Sequence, residues 1–209
     1  MGKVTKKHEE RKAEIMDAAE RLFFNQGFDN TTINQIVKTL GVSKGTFYYY
    51  FKSKDDILGA VIERQIDRFA NEIIKVYKAL APNPLQKLQI VLKNLIHPEK
   101  INEGLTKPVE GDRDAKLYHR LERKVFEKFK PILTEIIEQG KGEGIFHTDF
   151  PKEITEILFM GIQRYIHIHN PSFFDEKIYI RKISALEELV ERTLDLKKGS
   201  FKLQDSKIE

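Results

Sequence analysis

The chain has 209 residues, of which 40% are hydrophobic and 33% are charged, with only 7 prolines and 12 glycines. This length and composition are typical of one or two helix-rich globular domains with ample core. The absence of cysteine excludes disulfide bonds and thiolate metal sites, and no signal peptide or apolar run of about 18 residues is recognisable. We therefore expect a cytoplasmic protein without membrane-spanning segments.

The excess positive charge is concentrated at the beginning of the chain. Residues 1–54 contain ten Lys and Arg against six Asp and Glu, whereas the remaining 155 residues contain 26 of each, so the first segment accounts for the formal net charge of +4. A basic segment on an otherwise neutral chain indicates that one end binds nucleic acid. A basic tail that only improves solubility would give the same distribution.

Two amphipathic helices are predicted in this basic segment. The first runs from about 8 to 26, with apolar residues at helical spacing, and ends at Gly27, which suits a C-cap. The second is opened by Thr32, which with Gln35 fits a capping box, and it continues to Leu40.

The stretch 42–54 predicts a short third helix that meets the second at a sharp angle. Gly41 is expected to end the second helix, and Ser43 is a good N-cap for the third. Phe47 and Phe51 lie four residues apart and can pack against a core on one face. The outer face then carries a cation, phenol hydroxyls and a glycine, which suit contacts with a phosphate backbone. The second and third helices thus form a helix-turn-helix that reads DNA. A packing helix that buries all three tyrosines is the alternative.

The residue pattern over roughly 8 to 60 is more specific than a helix-turn-helix alone. It reads Leu22-Phe23-x-x-x-Gly27-Phe28-x-x-x-Thr32, then Ile36-Val37-x-x-Leu40-Gly41-Val42-Ser43-Lys44-Gly45-Thr46-Phe47-Tyr48-x-x-Phe51-Lys52-x-Lys54. This pattern resembles the N-terminal domain of the TetR family of bacterial one-component transcription regulators. Tyr50 departs from the histidine that is frequent in the family, and Val37 and Leu40 are bulkier than its frequent alanines.

The resemblance implies an all-α protein. It would have an N-terminal three-helix helix-turn-helix domain at 1–54, a C-terminal helical bundle for ligand binding and dimerisation at 55–196, and a polar tail at 197–209. The predicted DNA-binding residues are Thr32, Ser43, Lys44, Gly45, Thr46, Tyr48, Tyr49, Tyr50 and Lys54. Among them, Lys44, Thr46 and Tyr50 are the side chains able to reach base edges.

Further helices are predicted at about 53–80, 85–97, 114–140, 151–169 and 172–196, with a short helix near 99–105. Pro131 is expected to kink or divide the helix at 114–140. The polar tail from Lys197 is expected to fray. In the family, two C-terminal helices of each chain pair into a four-helix dimer interface, so the helices at about 151–169 and 172–196 are the predicted homodimer contact.

No pattern of catalytic or metal-binding residues is found in the sequence. It has no Gly-rich phosphate loop and no cysteine nucleophile, and its only closely spaced histidines, His167 and His169, would point to different sides of a helix. We therefore expect neither an enzyme nor a cofactor or metal site.

Aromatic residues are frequent in the helices predicted at 114–140 and 151–169, with a few scattered polar groups among them. Such a lining suits a mainly apolar ligand, although a fully packed core would use the same residues. The candidate ligand-binding residues are Tyr118, His119, Phe126, Phe129, Phe159, Gln163 and His167.

The sequence therefore predicts a ligand-responsive transcriptional regulator, most often a repressor in this family. It would bind a palindromic operator in double-stranded DNA as a homodimer and be released by a small, mainly apolar effector. The alternative is a constitutive or architectural DNA-binding protein whose C-terminal domain only dimerises. A ligand-dependent change in operator affinity would separate the two.

Overall fold

The structure is a computed structural model that describes residues 2–80, 82–96, 115–167 and 176–203. Every regular element in these ranges is a helix: α1 (Gly2–Gln26), α2 (Ile33–Leu40), α3 (Lys44–Tyr50), α4 (Lys54–Leu80), α5 (Pro84–Ile96), α6 (Ala115–Gly142), α7 (Pro151–His167) and α8 (Glu176–Thr193). None of these helices is long and apolar enough to cross a bilayer. The predicted all-α fold is confirmed, and the short helix predicted near 99–105 lies outside the described residues.

The described chain forms two compact units. The head unit comprises residues 2–68 and 115–124, and the bundle unit comprises residues 69–80, 82–96, 125–167 and 176–203. Helices α4 and α6 each contribute residues to both units. The domain limits of 1–54, 55–196 and 197–209 stay predictions.

Capping residues set the ends of the short helices in the head unit. The Thr32 hydroxyl accepts a hydrogen bond from Gln35 N–H at 3.2 Å, and the Gln35 amide oxygen accepts one from Thr32 N–H at 2.7 Å. This is the predicted capping box of α2. Gly41 ends α2 in the left-handed conformation, with φ of 64°, which favours glycine. The Ser43 hydroxyl then caps α3 by accepting from Thr46 N–H at 3.1 Å, so both predicted caps are confirmed.

Helix α1 differs from its prediction at one end only. It ends as expected at Gln26, where Gly27 N–H donates to Phe23 C=O at 3.0 Å. It begins at Gly2 instead of near His8. The predicted start was late because apolar periodicity begins only at Ile15, while the polar residues before it contain no proline and continue the helix.

The head core is built from the inner faces of α1 to α4. Its buried side chains include Ile15, Ala18, Ala19, Phe23, Ile36, Phe47, Phe51, Ile57, Leu58 and Val61. A half-buried polar cluster adds to it, in which the Arg64 guanidinium pairs with the Asp17 carboxylate at 2.8 Å and with that of Glu20. Because Arg64 and its two partners lie on α4 and α1, the cluster ties the start of α4 to the first helix.

Helix α6 runs through Pro131 without a break and continues to Gly142. Of the two expected effects of Pro131, a kink or a division, the division is wrong, because buried Phe129 and Leu133 on either side hold both halves of the helix in one core. Gly140 is buried, and an added Cβ would overlap the ring of Phe146. This glycine therefore allows the turn after α6 to fold back closely, instead of ending the helix as predicted.

The segment after α8 folds back on the bundle unit, so the expected frayed tail is wrong for residues up to Leu203. Phe201 and Leu203 are buried, and their N–H groups donate to the carboxylates of Glu191 at 2.9 Å and Glu187 at 2.7 Å. The mostly polar composition hid two apolar residues at alternate positions, which is the spacing that an extended segment needs to bury both. Residues 204–209 lie outside the described part of the chain.

We expect the docking of this tail to be sensitive to acid. Burial alone would raise the pKa of Glu191, but the N–H groups of Phe201 and Gly199, the charge of Lys202 and the N–H of Ser200 outweigh burial and leave the pKa lowered. A carboxyl whose folded pKa is depressed stabilises the fold above its unfolded pKa of about 4.3, and this contribution is lost as pH falls through the folded value.

The measurement is the melting temperature between pH 7 and pH 3, with hydrogen exchange of residues 197–203. Glu191→Gln should cost on the order of 1 kcal/mol at pH 7 and flatten part of the pH dependence, because the amide keeps a hydrogen bond but not the charge. Glu188→Gln, on an exposed face of the same helix, is the matched control. Equal behaviour of the two variants would contradict the role of Glu191.

Candidate nucleic-acid interface

Helix α3 is held on the head core by one face and exposes the other. Phe47 and Phe51 are buried, whereas Tyr48 is 54% exposed and Tyr49 is 72% exposed. The alternative of a packing helix that buries all three tyrosines is therefore wrong. Tyr50 is half-buried and lies edge-on to Tyr49, with 4.9 Å between ring centroids.

The beginning of α3 carries an exposed lysine and an exposed glycine. The Lys44 side chain makes no ion pair or hydrogen bond among the described residues and projects its charge into solvent. At Gly45 an added Cβ would lie 3.5 Å from the Ser43 hydroxyl oxygen, an ordinary contact. The fold would thus accept alanine at this position, and the contact of Gly45 with DNA stays a prediction.

Thr46, Thr32 and Lys54 are engaged within the chain. The Thr46 hydroxyl lies 3.0 Å from that of Ser43, and the Thr32 hydroxyl belongs to the capping box of α2. The Lys54 ammonium donates to Phe28 C=O at 2.8 Å and stands 4.1 Å from the centroid of the Phe28 ring. The structure therefore gives these three predicted DNA-binding residues local structural roles, and their contact with DNA stays a prediction.

The charge around α3 is of one sign over a long stretch. No acidic residue occurs between Asp29 and Asp55, and this stretch contains four lysines. A stretch that carries lysines and no acid beside exposed tyrosine hydroxyls is suited to phosphate, because the cations attract the anion and the hydroxyls can donate hydrogen bonds to it.

His8 is a neighbour of α3 that the sequence analysis missed. Its ring centroid lies 4.7 Å from that of Tyr50 and 5.7 Å from that of Tyr49, and on the next turn of α1 Lys12 Nζ lies 6.0 Å from the centroid of Phe51. No spacing rule could have found these contacts, because they join residues about forty positions apart in the chain.

Among the predicted ligand-binding residues, the structure brings two rings together in the bundle unit. Phe126 and Phe159 are stacked, with centroids 5.5 Å apart and an angle of 14° between the planes. Phe129 is buried against Phe69, and Gln163 is half-buried. The side chains of Tyr118, His119 and His167 lie outside the described residues.

Helices α7 and α8 of the bundle unit pack against each other and each exposes apolar residues. On α7, Ile157 is 71% exposed and Met160 is 60% exposed, and the adjoining Gly161 has open space where a side chain would be. On α8, Ile178 and Leu189 are about half exposed. The opposite faces of both helices are buried in the bundle unit. The exposed residues therefore form an additional apolar surface, which the described chain does not cover.

Two family models match the chain. The model described as "Bacterial regulatory proteins, tetR family" matches residues 15–61, and the model described as "Tetracyclin repressor-like, C-terminal domain" matches residues 100–189. The chain belongs to the TetR family. It is therefore a helix-turn-helix DNA-binding transcription regulator, and the proteins it matches are regulators instead of enzymes.

Curated relatives of this TetR-family regulator are also transcription regulators. The HTH-type regulator YfiR of Bacillus subtilis is 26% identical over 181 residues, which cover 84% of this chain and 87% of YfiR. The HTH-type regulator HbdR of Aromatoleum sp. strain CIB is 40% identical over 80 residues, but these cover only 38% of this chain and 34% of HbdR.

Solved structures of similar fold extend over most of this TetR-family chain. RolR in complex with resorcinol has a TM-score of 0.65 at 20% identity, with 92% of this chain and 91% of RolR covered. FadR of Bacillus subtilis in complex with stearoyl-CoA has a TM-score of 0.59 at 22% identity, with 85% of this chain and 97% of FadR covered. At these identities the comparison establishes the fold.

Proposed function

We propose that this TetR-family protein is a ligand-responsive repressor. As a homodimer it binds a palindromic operator in double-stranded DNA, and a small, mainly apolar effector releases it. The observation that carries the proposal is the outer side of α3, where Lys44, Tyr48 and Tyr49 are exposed on a helix that two buried phenylalanines hold in place. We assign the protein to the cytoplasm, where an operator is accessible.

Two kinds of operator contact are assigned to this surface. Lys44, Thr46 and Tyr50 are the side chains that would reach base edges in the major groove. Hydroxyls, backbone amides and the remaining cation would bind phosphates and set the register of the helix. The phosphate contacts are assigned to Thr32, Ser43, Gly45, Tyr48, Tyr49 and Lys54.

The homodimer is assigned to the exposed apolar surface of α7 and α8. Ile157, Met160 and Leu189 would be costly to leave in water, and a second copy of the same helices would cover them in a four-helix arrangement. Gly161 supports the assignment because its open Cα side permits close helix approach. A two-fold axis would then place two copies of α3 on one side of the duplex.

The effector is assigned to the aromatic cluster of the bundle unit that includes Phe126 and Phe159. Stacked rings with a half-buried amide at Gln163 suit an apolar molecule that is fixed by few hydrogen bonds. The structures of RolR with resorcinol and FadR with stearoyl-CoA support an organic ligand for this fold. A tenfold release from the operator requires the effector to prefer the non-binding conformation by about 1.4 kcal/mol.

The test begins with an operator selected from random DNA by the purified protein. Compounds that include resorcinol and stearoyl-CoA are then screened for loss of operator binding by gel shift, and a reporter behind the operator should rise when the active compound is added. Phe159→Trp should abolish the response to that compound and keep operator binding, because the larger ring fills space next to Phe126.

Phe201→Trp is the matched control, since Phe201 is equally buried in the bundle unit but belongs to the docked tail. It should respond like the wild type. If both variants lose the response, the loss in Phe159→Trp reports general destabilisation and does not support an effector site at Phe159. If no compound changes operator affinity, the protein is the alternative, a constitutive or architectural DNA-binding protein.

A further inference from the structure

We propose that the first turns of α1 form a second DNA-contacting element beside α3, which binds phosphates that flank the bases contacted by α3. The proposal rests on the operator-binding function proposed above. It adds residues 2–12, none of which is among the predicted DNA-binding residues.

The position of this element comes from an extension of α1. The helix begins at Gly2, whereas the match to the family's DNA-binding domain begins at residue 15. Residues 2–14 therefore extend the first helix of the matched domain by about 20 Å, at ~1.5 Å per residue. The helical backbone gives the residues of this segment a regular spacing, which an arm without secondary structure would lack.

Ring contacts attach this extension to the DNA-facing side of α3. The His8 ring packs on Tyr50 and stands edge-on to Tyr49, with an interplanar angle of 72°. Tyr49 is among the most exposed aromatic residues of the head unit, so its neighbour His8 lies at the same surface. One turn further along, Lys12 lies over the Phe51 ring. The two contacts fix the beginning of α1 alongside the second half of α3.

The charge of the extension favours phosphate. Residues 2–8 contain three lysines and no acid. Of the acids that follow, Glu9 lies 3.4 Å from His8 Nδ1, and Glu14 pairs with Arg11 at 2.7 Å. Lys7 is exposed and makes no ion pair among the described residues. Lys7 thus supplies a cation next to His8 in the chain. Each phosphate that a lysine of this segment neutralises would make the slope of log affinity against log salt concentration steeper by about 0.9.

The experiment compares two triple variants of the full-length protein on the selected operator. One carries Lys3→Ala, Lys6→Ala and Lys7→Ala. The control carries Lys152→Ala, Lys197→Ala and Lys198→Ala, which removes the same charge from exposed positions of the bundle unit. The dissociation constant is measured from 50 to 400 mM salt. We expect the first variant to bind at least tenfold more weakly at 150 mM salt. The slope of log affinity against log salt concentration should be shallower by about 2–3 for each bound chain.

A second pair of variants tests the attachment by His8. His8→Phe keeps a ring against Tyr49 and Tyr50 and should bind like the wild type, whereas His8→Ala frees the extension and should weaken binding several-fold. Ethylation interference should also show phosphates outside the α3 half-site that are required by the wild type and not by the triple lysine variant.

The outcomes separate the two proposals. If the wild type selects no operator and shows no salt-dependent binding, the proposed function itself fails. If the wild type binds but the two triple variants share one slope and one affinity, the extension does not contact DNA and the inference is overturned. A loss of affinity with an unchanged slope also overturns it, because the extension would then only stabilise α3.

Discussion

Replacing Lys44 with alanine should weaken operator binding at least tenfold and leave the proposed dimer and the melting temperature unchanged. Lys44 is exposed, and its ammonium makes no hydrogen bond or ion pair within the described chain. Its removal therefore leaves no buried group unpaired. A hydrogen bond to a charged partner contributes about 1.5–3 kcal/mol, and every 1.4 kcal/mol is about a factor of ten in affinity. Two chains of a dimer would lose it together.

Tyr49→Phe extends this test to a hydroxyl. The phenyl ring keeps its contacts with Tyr50 and His8, so a loss of binding would report the hydroxyl alone. Lys141→Ala, an exposed lysine at the end of α6, is the control for the general effect of one charge and should bind normally. Gel-shift titration measures all three variants.

The salt dependence of the wild type belongs to the same prediction. Operator affinity should fall on the order of tenfold or more between 50 and 200 mM salt, because lysine contacts with phosphate release counterions. A flat salt response, or normal binding by Lys44→Ala, would contradict the assignment of α3 as the DNA-contacting helix.

Introducing a carboxylate on the exposed apolar surface of α7 and α8 should give monomers. In the proposed dimer, Ile157→Asp and Leu189→Asp each place a charge twice in one symmetric interface, where burial of a large aliphatic side chain otherwise contributes about 1.5–3 kcal/mol. We expect each substitution to raise the dissociation constant of the dimer at least a hundredfold. Sedimentation velocity over a range of concentrations measures this change.

The same variants should lose high-affinity operator binding although α3 is untouched. The wild type should select a palindrome whose half-sites lie ~34–36 Å apart, because a two-fold axis places two recognition helices in successive major grooves. Monomers would keep only weak binding to a single half-site. Phe24→Asp is the matched control, since Phe24 is an exposed aromatic residue of the head unit and lies far along the chain from α7 and α8.

A dimer that survives both aspartate substitutions would contradict the assigned interface. Selection of asymmetric sites only would contradict the symmetric arrangement itself. If Phe24→Asp were also monomeric, the loss of the dimer would reflect general unfolding of the variants. A circular dichroism melting curve of Phe24→Asp would identify such unfolding.

The short helices of the head were predictable because their ends depend on neighbouring residues. Thr32 and Gln35 cap each other within one turn, and Gly41 supplies the left-handed conformation at the end of α2. The exposure of Tyr48 and Tyr49 followed from burying Phe47 and Phe51 on the other face of one helix. These signals operate over three or four residues, so composition and spacing carry them.

The errors arose where distant residues meet. The polar tail docks because Glu187 and Glu191 on α8 accept its N–H groups. The sequence also did not predict that Phe28 C=O accepts a hydrogen bond from the ammonium of Lys54, whose contact with DNA stays a prediction. The sequence presents these residues as ordinary charged surface positions, since nothing local distinguishes a carboxylate in water from one that binds a returning backbone.

The sequence by itself determined the helical class, the helix-turn-helix, the family and the residues that α3 exposes, because periodicity and capping are local properties of the chain. Only the tertiary structure decided that α6 continues past Pro131 and that the Phe146 ring packs where a side chain at Gly140 would lie. It also decided that His8 lies beside Tyr49 and Tyr50. Each of these features depends on which side chains fill the neighbouring space, and packing between residues far apart in the chain is set by the whole core.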